Sequence, residues 1–358
     1  MPNPRIFIFA PADPKSHKTF EDVGCELVLG SATYADPSGD PQDRLVELAA
    51  HADALVGTSI KGSKINKDVL MASENLRIVA KYTVGVDEVD VEAATEMGIV
   101  VTHAPTEANW GGVVESTMTM MLTLLKKTRM RDRFLKTGQG WRSDVLLGTY
   151  VGRREPSQGE ENGYAGLTIG IVGLGRIGSR FSEFMTPWRA RIVAYDPYVS
   201  DERFAELGVE RVDYDTLLRE SDVITFHVTL TKETHHMLGA REFGLMKPTA
   251  IIINNSRGPV IDEPELVKAL NEERLAGAAL DVFEKEPVDP NNPLLKMDDR
   301  VFITPHVAAA NHHAGLSAGI VWGTTDVMHA LRGEVPQHVF NPEVLPRWRE
   351  RWEGRSAI

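Results

Sequence analysis

Cysteine is almost missing from this 358-residue chain: one residue, Cys25, stands alone, so no intrachain disulfide can form, which suits a reducing compartment. Cys25 is expected to be a small half-buried residue ahead of the strand-like ELVLG, with no motif around it to make it a nucleophile. Positive charge is also in deficit. Against 51 Asp and Glu there are 39 Lys and Arg, a formal net charge of -12. That balance argues against an extended nucleic-acid footprint, which needs a clustered cationic excess. Long apolar runs are absent too, since nothing approaches the ~20 residues of a membrane-spanning helix. The opening MPNPRIFIFAPADP holds an apolar stretch shorter than the roughly 7–15 residues of a signal-peptide core. The expectation is a cytoplasmic protein with no membrane and no nucleic-acid partner.

What the chain does contain is ordinary for a globular enzyme: 42% hydrophobic and 25% charged residues. Its length exceeds one typical domain of ~100–200 residues, which favours two. In the first hundred residues, apolar runs alternate with amphipathic stretches such as DRLVELAAHAD and VDVEAATEMG: RIFIF from Arg5, ELVLG from Glu26, ALVG from Ala54, LRIVAK from Leu76 and GIVVTHAP from Gly98. Apolar strands separated by helices predict a parallel sheet covered on both faces.

After Gly111-Gly112 a longer helical pattern is predicted, carried by Val114, Met118, Met121, Leu122 and Leu125, with the methionines as core or subunit-interface packing. The polar stretch from Thr149 to Gly166 reads as a loop. From Leu167 six further strand-like segments follow, TIGIVG, RIVAYD, SDVITFHV, TAIIINNS, GAALDV and RVFITPH, before a helical C-terminal part. No repeat of solenoid length is present.

Gly173-Leu174-Gly175-Arg176-Ile177-Gly178 sits where the first of these strands meets a helix. That context makes a glycine motif informative. Gly173 permits the tight turn, Gly175 lets the backbone approach a pyrophosphate, and Gly178 lets the helix press on the strand. Free amides and the dipole at the helix start then favour phosphate, and Arg176 is a further phosphate candidate. Some 20 residues on, RIVAYDP ends in Asp196, where a carboxylate accepts from an adenosine ribose and would repel a 2′-phosphate. The cofactor expected is NAD, with Tyr198 beside the adenosine.

Candidates for the chemistry stand at later strand ends. Arg257, in NNSRGPVIDE, can grip a carboxylate bidentately. Asp281 and Glu286 lie in GAALDVFEKEP, and His306 in VFITPHVAAAN. A histidine oriented by a carboxylate is the usual device for proton transfer near neutral pH. His235-His236 and His312-His313 do not make a metal site, because adjacent side chains in regular structure diverge and no matching ligands accompany them. No metal is expected.

Together, YTVGVDEVDVEAATEMGIVV, the glycine motif, NNSRGPVIDE, AGAALDVFEKEP, TPHVAAA and the closing FNPEV resemble the D-isomer-specific 2-hydroxyacid dehydrogenases, the group containing phosphoglycerate, glycerate and D-lactate dehydrogenases. The resemblance covers nearly the whole chain. It implies two doubly wound parallel-sheet α/β domains: a Rossmann NAD-binding domain over 115–310, and a flavodoxin-like substrate domain from 1–114 with 311–358. Substrate would lie in the cleft between them. By the same resemblance Arg257 binds the substrate carboxylate, His306 is general acid in reduction and base in oxidation, and Glu286, immediately before Pro287, is its partner in preference to Glu284.

The cofactor set it implies is Gly173, Gly175, Arg176, Ile177, Gly178, Asp196, His227, Thr234, Asn255, Ser256 and Asp281, the last facing the nicotinamide carboxamide. The backbone of Thr83, Val84 and Gly85 would meet the substrate carboxylate, with Asn109 lining the entrance. The chain departs from the family pattern at Thr229, at Ala308-Ala309, at Trp110, at the loop of Arg153 and Arg154, and at Ile60, where an arginine is frequent and Lys61 stands next in line to replace it. The expected activity interconverts a 2-oxo acid and a D-2-hydroxy acid in a homodimer. Three alternatives stay open: a same-fold dehydrogenase acting on formate or phosphite, an NAD(H)-sensing binding protein like the co-repressors that share this fold, and an NAD-binding scaffold with vestigial chemistry.

Overall fold

The computed structural model describes residues 3–12, 14–33, 36–146, 166–297, 299–309 and 316–358. Arg153, Arg154, His312 and His313 lie outside them. The chain divides into two compact units, Met1–Asn109 with Ala310–Ile358, and Trp110–Ala309.

In the first unit the strands are β1 (Arg5–Ala10), β2 (Glu26–Leu29), β3 (Ala54–Gly57), β4 (Ile78–Lys81) and β5 (Val100–Thr102). They are the five apolar runs of the sequence. All pair in parallel, in the order β2-β1-β3-β4-β5, the flavodoxin-like order. The two faces of β1 separate as strand alternation requires: Phe7 and Phe9 enter one apolar core, Ile6 and Ile8 the other. The second core is completed from the far end of the chain by the helix Ser317–Arg332, through Val327, Ala330 and Leu331, and by the fully buried Trp348. Arg77 ties that end down, donating to the carbonyls of Ala330 (3.2 Å) and Arg355 (2.6 Å). Cys25 is half-buried, and burial, followed by the nearby Asp53 charge, pushes its thiol up to about 11.

In the second unit the strands are β6 (Thr168–Val172), β7 (Arg191–Tyr195), β8 (Glu210–Arg211), β9 (Val223–Phe226), β10 (Ile251–Asn254), β11 (Gly277–Leu280) and β12 (Val301–Ile303). The parallel order is β12-β11-β10-β9-β6-β7-β8. Six of these strands are the six apolar segments. The seventh, β8, is a correction: it is two residues long with both side chains exposed, so it offers no apolar signal to read. The chain leaves β6 toward β7 on one side and returns through β9 on the other, so the ends of β6 and β9 lie at the switch point where such sheets take ligands.

The long helix also differs from its sequence reading. It runs Glu107–Leu125, starting before Gly111-Gly112 rather than after them. Two helical glycines cost up to ~1 kcal/mol each relative to alanine, and burial of Val113, Val114, Met120, Met121 and Leu125 offsets that cost. Among the described residues no helix is long and apolar enough to cross a membrane.

Candidate active site

At the end of β6 Gly173 holds a φ of +90°, and a Cβ there would stand 2.6 Å from the carbonyl oxygen of His227. Only glycine fits a left-handed turn pressed this closely on β9. Gly178, in the first turn of the helix Arg176–Met185, faces the Gly173 carbonyl so tightly that a Cβ would collide with it. Gly175 caps this helix, and no described residue lies within 4 Å of where its Cβ would be. That open side, next to the first helical amides, fits a dinucleotide pyrophosphate. Arg176 and Ile177 form the first helical positions.

Asp196 closes the turn from β7. Its Oδ2 accepts from the amide of Leu174 (2.8 Å) and its Oδ1 from that of Tyr198 (2.9 Å). A cavity of about 410 Å3 opens here, lined by Tyr195, Asp196, Pro197, Arg211, Val212 and Asp213. Arg211 has no counterpart in the sequence reading. It reaches the carbonyl of Asp196 at 3.4 Å but places its stronger contact, 2.5 Å, on Asp201. Tyr198 is exposed and donates to Glu233 at 2.5 Å.

His227, just beyond β9, sits inward of the turn. Its Nε2 meets Thr225 Oγ1 at 3.0 Å, its ring packs 5.8 Å from that of Phe181, and its buried Nδ1 has no partner among the described residues. Burial pushes its pKa down to about 3, so the ring is neutral near neutral pH. Thr234 folds its own loop, its hydroxyl donating to the Thr229 carbonyl at 2.6 Å. Past β10, Ser256 Oγ donates to Asn254 Oδ1 (2.7 Å) and Asn255 Nδ2 to Thr117 on the long helix (3.1 Å), while Asn255 Oδ1 is buried with no partner among the described residues.

The reactive candidates converge on the ends of β10, β11 and β12. Arg257 is half-buried; Asn254 Nδ2 holds its carbonyl at 2.9 Å, and its guanidinium donates to the Ser256 carbonyl at 2.8 Å. Glu286 Oε1 accepts from the amide of Phe283 (3.1 Å), and Oε2 lies 2.7 Å from His306 Nδ1. With Nδ1 engaged, Nε2 of His306 is the nitrogen left to exchange a proton. Glu284 is taken elsewhere, 2.6 Å from His236 Nε2.

His306 itself has a φ of +56°, the left-handed region, and Asp281 supports that backbone. Buried to 2% exposure, Asp281 accepts from Thr304 Oγ1 (2.5 Å) and from the amides of Val307 and Ala308 (both 2.8 Å). Its carboxyl is held above the ordinary aspartate range by burial. The carboxylate is thus a staple across the histidine loop, a contact that no motif spacing announces.

In the first unit Thr83, Val84 and Gly85 form a half-buried turn beyond β4. The Thr83 carbonyl accepts from the amide of Ala104 (2.9 Å) and the Val84 carbonyl from His103 Nδ1 (3.1 Å). Lys61 is exposed, whereas Ile60 is buried in the core. The amide of Asn109 donates to Thr106 (3.1 Å) in the opening turn of the long helix.

A Gly-rich turn, an aspartate at the end of the next strand and an Arg-Glu-His set on one parallel sheet invite comparison with known proteins. Residues 118–308 match the model of "D-isomer specific 2-hydroxyacid dehydrogenase, NAD binding domain". The chain belongs to the D-isomer specific 2-hydroxyacid dehydrogenases. It is by that membership an NAD-dependent oxidoreductase. This dehydrogenase is 38% identical over 354 residues to a glyoxylate reductase of Thermococcus litoralis, across 96% of its own length and 98% of the relative's. It is 37% identical over 310 residues to a D-3-phosphoglycerate dehydrogenase of Archaeoglobus fulgidus, of which it spans 55%. In three dimensions it resembles the D-lactate dehydrogenase of Aquifex aeolicus solved with NAD and lactic acid: TM-score 0.76, 26% identity, 92% of this chain and 96% of that one.

Proposed function

We propose that this dehydrogenase reduces a small 2-oxo acid of the glyoxylate class to the corresponding 2-hydroxy acid, the D isomer where the product is chiral, with NADH, and runs the reverse oxidation with NAD. The observation that carries this is the 2.7 Å contact of His306 Nδ1 with Glu286 Oε2, on the same sheet as Arg257. The relatives matched along nearly their whole length are named glyoxylate reductases, which supports the choice of acid.

Bound NADH supplies the hydride. Arg257 holds the substrate carboxylate and polarises its carbonyl. His306 gives a proton from Nε2 to the carbonyl oxygen, and Glu286 stabilises the imidazolium through Nδ1–H. The turn of Thr83, Val84 and Gly85, with Lys61 and Asn109, supplies further substrate contacts. Gly173, Gly175, Arg176, Ile177 and Gly178 would seat the pyrophosphate, Asp196 would take the ribose, His227, Thr234, Asn255 and Ser256 would line the cofactor, and Asp281, which staples the histidine loop, would hold the carboxamide end. Asp196 favours NAD over NADP.

The same reading makes the enzyme a cytoplasmic homodimer. A solution mass of twice 39.6 kDa is the expected result; a monomer would refute it.

Loss of NADH absorbance with purified protein and a panel of 2-oxo acids tests the activity. Fast turnover of glyoxylate or a close homologue is expected, with NADPH slower. Silence across the panel, with NADH still bound, would overturn the reading in favour of a sensing protein or another donor.

A further inference from the structure

Lys81 ends β4 with none of its side chain exposed. Its ammonium donates to the carbonyl of Thr58 and to Oε1 of Glu88, itself 8% exposed, and it lies 5.3 Å from the Phe9 ring centroid. These partners sit on different segments. Thr58 opens the segment that follows β3 and carries Lys61, while Glu88 closes the segment that follows β4 and carries Thr83, Val84 and Gly85. At their far ends the two are already stitched by backbone, with Ile65 donating to Glu88 (2.8 Å) and Asp90 to Ile65 (2.9 Å). The Lys81 ammonium makes a second, side-chain stitch between Thr58 and Glu88.

A buried ion pair is a poor source of stability, since removing both charges from water costs about what their attraction returns, and apolar replacements of like volume are often as stable. What this pair does deliver is geometry. Three fixed groups, one carbonyl, one ammonium and one carboxylate, hold the segments beyond β3 and β4 at one separation.

We propose that Lys81 and Glu88 are positioning residues for substrate capture, clamping the Thr83–Gly85 turn so that its backbone is set to receive the acid's carboxylate. This rests on the assignment of that turn to the substrate. Neither side chain touches the reacting atoms, so the clamp acts on KM and leaves the chemical step alone.

The test is the double variant Lys81→Met/Glu88→Leu in the full-length enzyme, assayed with glyoxylate and NADH beside its melting temperature and NADH affinity. The clamp predicts a KM for the acid raised about tenfold or more, with kcat and NADH affinity within about threefold, because a misplaced binding group costs capture before it costs chemistry. An unchanged KM in the folded variant would overturn it. If the double variant fails to fold, Glu88→Asp keeps both charges and shortens the clamp by one methylene; a raised KM at constant kcat supports the clamp and an unchanged KM refutes it. Gly85→Ala separates this from the underlying assignment. If Gly85→Ala raises KM while the clamp variants are silent, the clamp alone fails; if all are silent, the turn does not bind the acid.

Discussion

His306 Nδ1 and Glu286 Oε2 are 2.7 Å apart, and two residues earlier in the chain Glu284 spends its carboxylate on His236 at 2.6 Å. The chain therefore carries two His–Glu pairs whose glutamates are near neighbours in sequence, and the fold keeps them separate. Glu286 is further held by the amide of Phe283, and His306 by the loop that Asp281 staples.

This separation predicts opposite outcomes for the two glutamates. Glu286→Gln should lower kcat by about 10²-fold, in the range that acid–base assistance contributes, while Glu284→Gln stays within about threefold of the parent. His306→Ala should lose as much or more with NADH affinity nearly intact. Steady-state rates and fluorescence titration of NADH check all three, and equal losses in the two glutamate variants would dissolve the assignment.

Stability should fall with acid through His227. Its folded pKa of about 3 lies below the ordinary 6.5, so the unfolded chain takes up the proton first and stability is lost as pH drops from 6.5 toward 3. At pH 5 the loss from this group is about 2 kcal/mol. Urea unfolding at pH 7 and pH 5 measures it; His227→Gln should show a shallower decline, and a parallel decline would place the acid sensitivity elsewhere.

Asp196 is held by two backbone amides at the Gly-rich turn. Asp196→Ala should weaken NADH binding by about tenfold, the scale of one lost charged hydrogen bond, and narrow the preference for NADH over NADPH. Binding titrations with both nucleotides decide it. An unaltered ratio would point to Arg211, whose guanidinium already lies beside this site.

Lys81→Met alone leaves Glu88 buried without its cation. It should cost about 3–5 kcal/mol in chemical denaturation, whereas the Lys81→Met/Glu88→Leu pair should recover most of that loss. A single variant as stable as the parent would mean that Glu88 finds water or another donor.

Sequence alone determined the strands with a strong signal. Five and six apolar runs became β1–β5 and six of the seven strands of the second sheet, because strands covered on both faces must be apolar along their length, the half-exposed edge strand β2 apart. It also determined the glycine turn, since strand, Gly173, Gly175, Gly178 and helix are local and their spacing is the physical requirement. The start of the long helix and the exposed strand β8 were decided by tertiary structure: packing overrode two glycines, and pairing with β7 recruited two residues with no apolar face. The family resemblance pointed to Glu286 over Glu284, but the partner each takes is a matter of distance across the fold. The same holds for the Asp281 staple, 26 residues from Val307 in sequence, and for the Lys81 clamp joining Thr58 to Glu88. Hydrogen bonds and ion pairs between distant segments leave no periodicity in the chain, because their energy depends on separations that exist only after the strands have aligned.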